Sequence, residues 1–257
     1  MTPSSSPGWL VTLVIVRREL ILFVRQPARI AAAIGTPCLF WLFMASGFAQ
    51  SLKPEHLGDT SYGTYLLPGM MTLVAVFAAI FSSISIIEDR REGWLQAVLV
   101  SPAPRWSIAL GKILGGTVVA WTQAALLLAA APLLDIQLSL TTIVLSLIGV
   151  GVTSFAMTAV GVAFAWRTET TAAFHAIMNI VFMPAWLLSG SLFPPTGSSA
   201  WLGWLVKLNP LSWCTQSIRG PLMGDTSIIP LLAALAFAGA SLAVATWIVS
   251  SQSKRIA

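Results

Sequence analysis

The sequence predicts an all-α polytopic membrane protein. It should have six transmembrane helices, an N-terminal interfacial amphipathic helix, a short cytoplasmic helix between spans two and three, and short outer re-entrant helices before span six. Three observations predict this. Only 9% of the 257 residues are charged and 56% are hydrophobic, whereas a soluble domain carries roughly 25% charged residues; polar surface is too scarce to coat a globule of this length. Several apolar runs reach the ~20 residues that a helix needs to cross a hydrocarbon core. They are continuous, unlike the ~10-residue alternating strands of a membrane barrel, and in lipid each segment must satisfy its own backbone groups. Between two of the runs lies Glu88-Asp89-Arg90-Arg91-Glu92, a block of charge that belongs at a water surface.

The chain reads as one domain. Residues 1–8 form a polar tail expected to be disordered. Residues 9–29 are apolar but interrupted by Arg17, Arg18 and Glu19. At ~100° per residue, Arg18, Arg25 and Arg29 fall within about 40° of one another. That is the pattern of a helix lying in the headgroup plane with its basic stripe toward anionic lipid; a short first span would instead bury three adjacent charges. Spans follow at residues 30–49, 62–87, 106–134, 140–166, 171–192 and 228–250. Tyr62 and Tyr65 suit an aromatic belt at the mouth of the second. Residues 193–227 are chopped by Pro194-Pro195, Gly197, Gly203, Asn209-Pro210 and Gly220-Pro221. Trp201, Trp204 and Trp213 set these pieces at the outer interface, as a moving gate or a static lid.

Six spans put both termini on one side. With the termini inside, 11 of the 14 Lys and Arg residues are cytoplasmic and only Lys53, Lys207 and Arg219 are outside. The positive-inside rule therefore orients both termini and the charged block toward the cytoplasm. The net charge of +5 is a product of this loop bias and does not imply nucleic acid. Cys38 and Cys214 are too few for a disulfide framework.

Residues 88–105 carry the strongest pattern. Trp94, Leu95, Val98 and Leu99 recur at helical spacing, Gly93 allows a sharp turn out of the second span, and Pro102 and Pro104 stop the helix. The product is a short amphipathic helix rimmed by charge. Such a helix fits a groove on a partner, and equally fits a bed of lipid headgroups.

Glu88-Asp89-Arg90-Arg91-Glu92-Gly93, with Leu95, Leu99, Ser101-Pro102, Gly111-Lys112 and the later Leu208-Asn209-Pro210-Leu211, resembles the signature of the membrane subunits of type-2 ABC exporters. These are the permeases of drug-resistance, nodulation-factor and polysaccharide export, and the resemblance covers the whole chain. It departs at Gln96, where many members carry an acid. The resemblance implies that residues 88–105 are the coupling segment seated on a separate ABC ATPase. Glu88, Asp89, Arg90, Arg91, Glu92, Gly93, Trp94, Leu95, Gln96, Val98, Leu99, Ser101 and Pro102 would then make the contact. Arg17, Arg18 and Arg25 of the interfacial helix, and Arg167 and Glu169 of the next cytoplasmic loop, would lie near it. ATP and Mg would bind the partner chain, in a bacterial plasma membrane, with the permease a homodimer matching two ATPase subunits.

The chemistry within the chain agrees with an external motor. Gly111-Lys112-Ile113 lacks the hydroxyl residue of a phosphate loop. His56 and His175 have no Gly-x-Ser-x-Gly elbow near a candidate such as Ser154 or Ser189, so an intramembrane hydrolase is not supported; His175 with Asn179 reads as helix-to-helix bonding. An ion-coupled secondary carrier is the alternative, but it wants mid-membrane carboxylates, and Glu88 and Asp135 sit at span ends while Gln123 and Asn179 do not titrate.

Small residues at four-residue spacing, Ala31/Gly35, Gly111/Gly115 and Gly239/Ala243, allow close helix approach. The resemblance points to spans one and five as the face toward the second protomer. Phe40, Trp41, Phe43 and Met44, with Met178, Asn179, Phe182, Met183 and Trp186, offer an adaptable lining for a hydrophobic or amphipathic substrate, or else ordinary lipid-facing and packing side chains.

Overall fold

The computed structural model of the chain describes residues 8–48, 61–134, 136–193 and 199–251. The expected tail at 1–7, the loop with Lys53 and His56, Asp135, Pro194-Pro195, Gly197 and Lys254-Arg255 lie outside the described residues, as does the side chain of Arg29.

Ten α-helices occupy the described residues: α1 (Gly8–Val24), α2 (Pro27–Phe48), α3 (Tyr62–Arg91), α4 (Trp94–Val100), α5 (Arg105–Leu126), α6 (Leu140–Arg167), α7 (Thr171–Leu187), α8 (Ala200–Leu208), α9 (Pro210–Leu222) and α10 (Ile229–Ser251). A 3₁₀ segment, Leu127–Leu134, continues α5. Capping chemistry sets several starts. Ser61, Ser139 and Thr170 each accept a hydrogen bond from the backbone N–H three residues on, satisfying a donor that a helix start leaves bare. Asn209 caps α9 by accepting from the Leu211 N–H, two residues on, with Pro210 at the first position of the helix, where a missing N–H costs nothing.

Among the described residues, five helical stretches are long and apolar enough to cross a membrane: within α2, then α3, α5 with its 3₁₀ extension, α6 and α10. The expected span at 171–192 is a shorter apolar helix, α7, of 17 residues. It ends at Leu187 because the chain turns away at Gly190, whose φ of 71° is left-handed. The expected interfacial helix at 9–29 breaks at Arg25-Gln26, and Pro27 starts α2.

Helix α3 is the axis of the molecule. Leu66, Leu67, Met70, Met71, Ile86 and Ile87 are fully buried along it, and α2, α5, α6, α7 and α9 all pack against it. Helix α10 covers α6 and α9, and α1 lies along α5. The α1–α5 contact depends on small residues. A Cβ on Gly111 would meet the Ile15 side chain at 2.8 Å, and one on Gly115 would meet Glu19 at 2.8 Å. The expected small-residue pairing thus holds for Gly111 and Gly115, whereas Gly35 and Gly239 face open space.

Helix α1 turns its polar side inward. Thr12, Ile15 and Glu19 are buried, and Trp9, Leu10, Leu13, Val14, Ile21 and Val24 are exposed. Among the expected basic positions, Arg17 and Arg25 are exposed. Arg18 departs from the predicted lipid-facing stripe and points into the bundle, because buried carboxylates wait there.

Candidate functional site

The end of the bundle that carries α4 is built by a sharp change of direction. Helix α3 runs through Arg91 with Glu92 as its C-cap. Gly93 then takes φ 81°, a left-handed conformation that favours glycine. Helix α4 follows and ends at Val100, and after Ser101 and Pro102 the chain enters α5 at Arg105, with Pro104 as its N-cap. The turn and stop residues of the sequence act where expected.

The apolar stripe of α4 faces the chain's own core. Leu95 is 2% exposed, and Trp94, Val98 and Leu99 are partly buried against the same core. The stripe therefore fastens α4 to the bundle. The outward side consists of Arg91, Glu92, Gly93, Gln96, Ala97, Val100, Ser101 and Pro102, all exposed. Gln96 also folds back, its Nε2 donating to the Arg90 carbonyl at 2.9 Å.

Beneath α4 lies a network of four charges. The Arg18 guanidinium donates to both oxygens of Asp89, at 3.0 and 2.6 Å. Asp89, 2% exposed, also accepts from the Lys112 ammonium. Lys112, 3% exposed, donates to Glu19 Oε1 at 2.6 Å and to the Ser85 hydroxyl at 3.2 Å. Ser85 in turn donates to Glu19 Oε2 at 2.9 Å. Trp94 closes the network from the α4 side, its ring 3.8 Å from the Arg18 guanidinium carbon and 5.4 Å from the Lys112 nitrogen. Two cations and two carboxylates from α1, α3 and α5 thus neutralise one another. That balance is what allows charge to be buried without large cost.

Arg90 makes a separate tie to the C-terminal end of α6, donating to the Trp166 carbonyl at 2.7 Å and to the carbonyl of its C-cap, Thr168, at 2.9 Å. This brings the α4 end beside Arg167 and Glu169, both exposed. Glu88 is half-buried and lines a polar cavity with Arg18, Glu19 and Asp89. Sequence reasoning missed Glu19, Ser85 and Lys112 as members of one cluster. The available signal was physical: an acid and a lysine inside apolar helices each require a partner, and they have opposite signs.

The candidate conduit residues divide. Met178, Asn179, Phe182 and Trp186 of α7 line a cleft of about 110 Å³ against Leu73, Phe77 and Phe81 of α3. Phe40 meets Trp186 edge to face at 6.0 Å, and Met44 packs partly buried on the core. Phe43 is 68% exposed and lies away from the cleft. Trp186 Nε1 donates to the Gly69 carbonyl at 3.0 Å, tying α7 to α3.

At the far end, Arg219 of α9 is buried. It donates to the Gly190 carbonyl at 2.9 Å and its guanidinium carbon lies 4.0 Å from the Tyr65 ring centre. Tyr65 donates its hydroxyl to the same carbonyl at 2.7 Å. These contacts pin α9 and the turn after α7 to the start of α3. Helix α8 shows Trp201 and Trp204 to the outside, each 66% exposed.

Comparison with known sequences gives consistent matches. The profile of one family, described as ABC-2 type transporter, matches residues 11–223. The chain is 26% identical over 215 residues to a putative transport permease ycf38 of Cyanophora paradoxa, covering 80% of this chain and 72% of that protein. A protein of the same description from Porphyra purpurea is 26% identical over 213 residues, covering 80% and 71%. The probable multidrug ABC transporter permease YbhR of Escherichia coli (strain K12) is 26% identical over 181 residues, covering 66% of this chain and 46% of that protein.

Proposed function

Since the chain belongs to the ABC-2 type transporter family, and so is the multi-pass membrane component of an ABC transporter that associates with an ABC ATPase subunit, we propose that it is the permease of an exporter moving a hydrophobic or amphipathic substrate out of the cytoplasm. The observation that carries this reading is the placement of α4. It is a short helix hung between two long apolar helices, fastened by Leu95 and Trp94, with Gln96, Ala97 and Val100 turned outward.

In this reading the outward side of α4, with Arg91, Glu92, Arg167 and Glu169, is the surface on which the ATPase sits. ATP and Mg bind that partner, and closure of its dimer pushes α4. Two permease copies match two ATPase subunits, and closed two-fold assembly is the commonest arrangement of such pairs. Both termini lie in the cytoplasm of a cell bounded by this plasma membrane, as the distribution of basic residues supports. The substrate passes the apolar side chains of α3 and α7, where Met178 and Phe182 adapt to its shape, and leaves past α8 and α9. Family membership favours this ATP-driven cycle over an ion-coupled carrier. The test is recruitment: the chain isolated from its native membrane brings an ABC ATPase with it, and a charge placed on the outward side of α4 removes that ATPase without removing the chain from the membrane.

A further inference from the structure

Lys112 stands two turns inside α5, an apolar helix, and is 3% exposed. An isolated ammonium at such a place is costly, and ionisable groups inside membrane helices are kept where they act. Its partners come from two other helices: Glu19 from α1, Asp89 and Ser85 from α3. A fourth element is attached through Trp94 of α4, whose ring holds the Arg18 guanidinium. We propose that Lys112 and Glu19 are positioning residues that pass a displacement of α4 on to α1 and α5. The inference rests on the transporter reading above.

The geometry supports such a relay in three ways. Arg18 and Lys112 share one acceptor, Asp89 Oδ2. A shift of Trp94 that carries Arg18 with it must therefore change how Asp89 is divided between the two cations. Second, the four mutually bonded charges balance, two of each sign. One ion pair can be exchanged for another without leaving a buried charge uncompensated, the step that would be expensive. Third, a polar cavity of about 90 Å³ adjoins the network between Arg18, Glu19, Ser85, Glu88, Asp89 and Glu92. It gives these side chains room to change partners. A plain apolar brace would hold α1, α3 and α5 together as well or better, and it would have no second set of bonds to move to.

The test uses the chain with its ATPase in lipid vesicles. A Ser199→Cys label site at the exposed far end, in a Cys38→Ala background, reports on the membrane domain through its rate of reaction with an impermeant maleimide. ATP with vanadate changes that rate in the otherwise wild-type chain. The pair Glu19→Gln with Lys112→Met removes one charge of each sign and leaves the Arg18–Asp89 pair. We expect it to assemble with the ATPase and hydrolyse ATP, while the nucleotide-dependent change in labelling shrinks at least about five-fold, the low end of coupling between distant sites. A full response in the double variant overturns the relay. So does loss of insertion or of ATPase assembly, which marks the network as a static brace. If the chain with native Glu19 and Lys112 recruits no ATPase, the transporter reading falls and the relay with it.

Discussion

Arg18 grips Asp89 with both arms of its guanidinium, at 3.0 and 2.6 Å, across a gap of 71 positions in sequence. The pair joins the N-terminal helix to the end of the central one, directly under the ring of Trp94. It is the contact through which the charged block read from the sequence becomes part of the bundle rather than a loose loop.

Replacing Asp89 should be the most damaging change at this end. Asp89→Asn removes one of the two carboxylates bonded to Arg18 and Lys112. Breaking a buried pair on one side costs ~3–5 kcal/mol. Thermal unfolding in detergent should show a clear loss of stability, whereas Arg91→Ala, an exposed change, should stay within about 0.5 kcal/mol.

Trp94 should matter as a lid over charge as well as an apolar contact. Trp94→Leu removes the aromatic face and with it a cation–π contribution of ~0.5–2 kcal/mol. Trp94→Phe should recover part of the loss in the same unfolding measurement. Equal effects of the two changes would show that only packing is at work.

Glycines that look alike in sequence should behave differently. Gly111→Ala forces a Cβ against Ile15 at 2.8 Å and toward the Thr12 carbonyl at 3.2 Å, so α1 must shift, at ~1–3 kcal/mol. Gly239→Ala meets nothing within 4 Å and should be neutral, or stabilising by about 0.5–1 kcal/mol through helix propensity. Unfolding of the two variants side by side tests this.

At the far end, Tyr65→Phe deletes one donor to the Gly190 carbonyl and leaves Arg219 as the other. A net cost of ~0.5–1.5 kcal/mol follows, the usual worth of one hydrogen bond. Because the carbonyl stays satisfied, the loss should not reach the larger figure for an orphaned buried group. Thermal unfolding again reads it.

Much of this architecture was legible in the sequence because lipid imposes simple rules. Apolar runs marked α2, α3, α5 with its 3₁₀ extension, α6 and α10 to within a few residues. Gly93, Pro102 and Pro104 marked both ends of α4, since each residue restricts the backbone in its own way. What could not be read was direction. Helical spacing of Trp94, Leu95, Val98 and Leu99 says that a stripe exists and leaves open what lies against it; the stripe turned out to serve the chain's own core. The same limit hid Arg18, whose place on a basic arc suggested lipid until Asp89 and Glu19 stood beside it. Gly111 and Gly115 announced a close helix approach without naming α1 as the helix. The site on α7 was blurred because the chain leaves the helix at Leu187, and only the left-handed Gly190 shows why.

The central claim is that the outward side of α4 holds the motor. Ala97→Arg with Val100→Glu alters only exposed positions and leaves Leu95, Trp94 and the network beneath untouched. Co-purification from membranes measures the outcome directly. The account predicts a chain that inserts in wild-type amounts and recruits no ABC ATPase; a variant that brings the ATPase down at the wild-type ratio would contradict it.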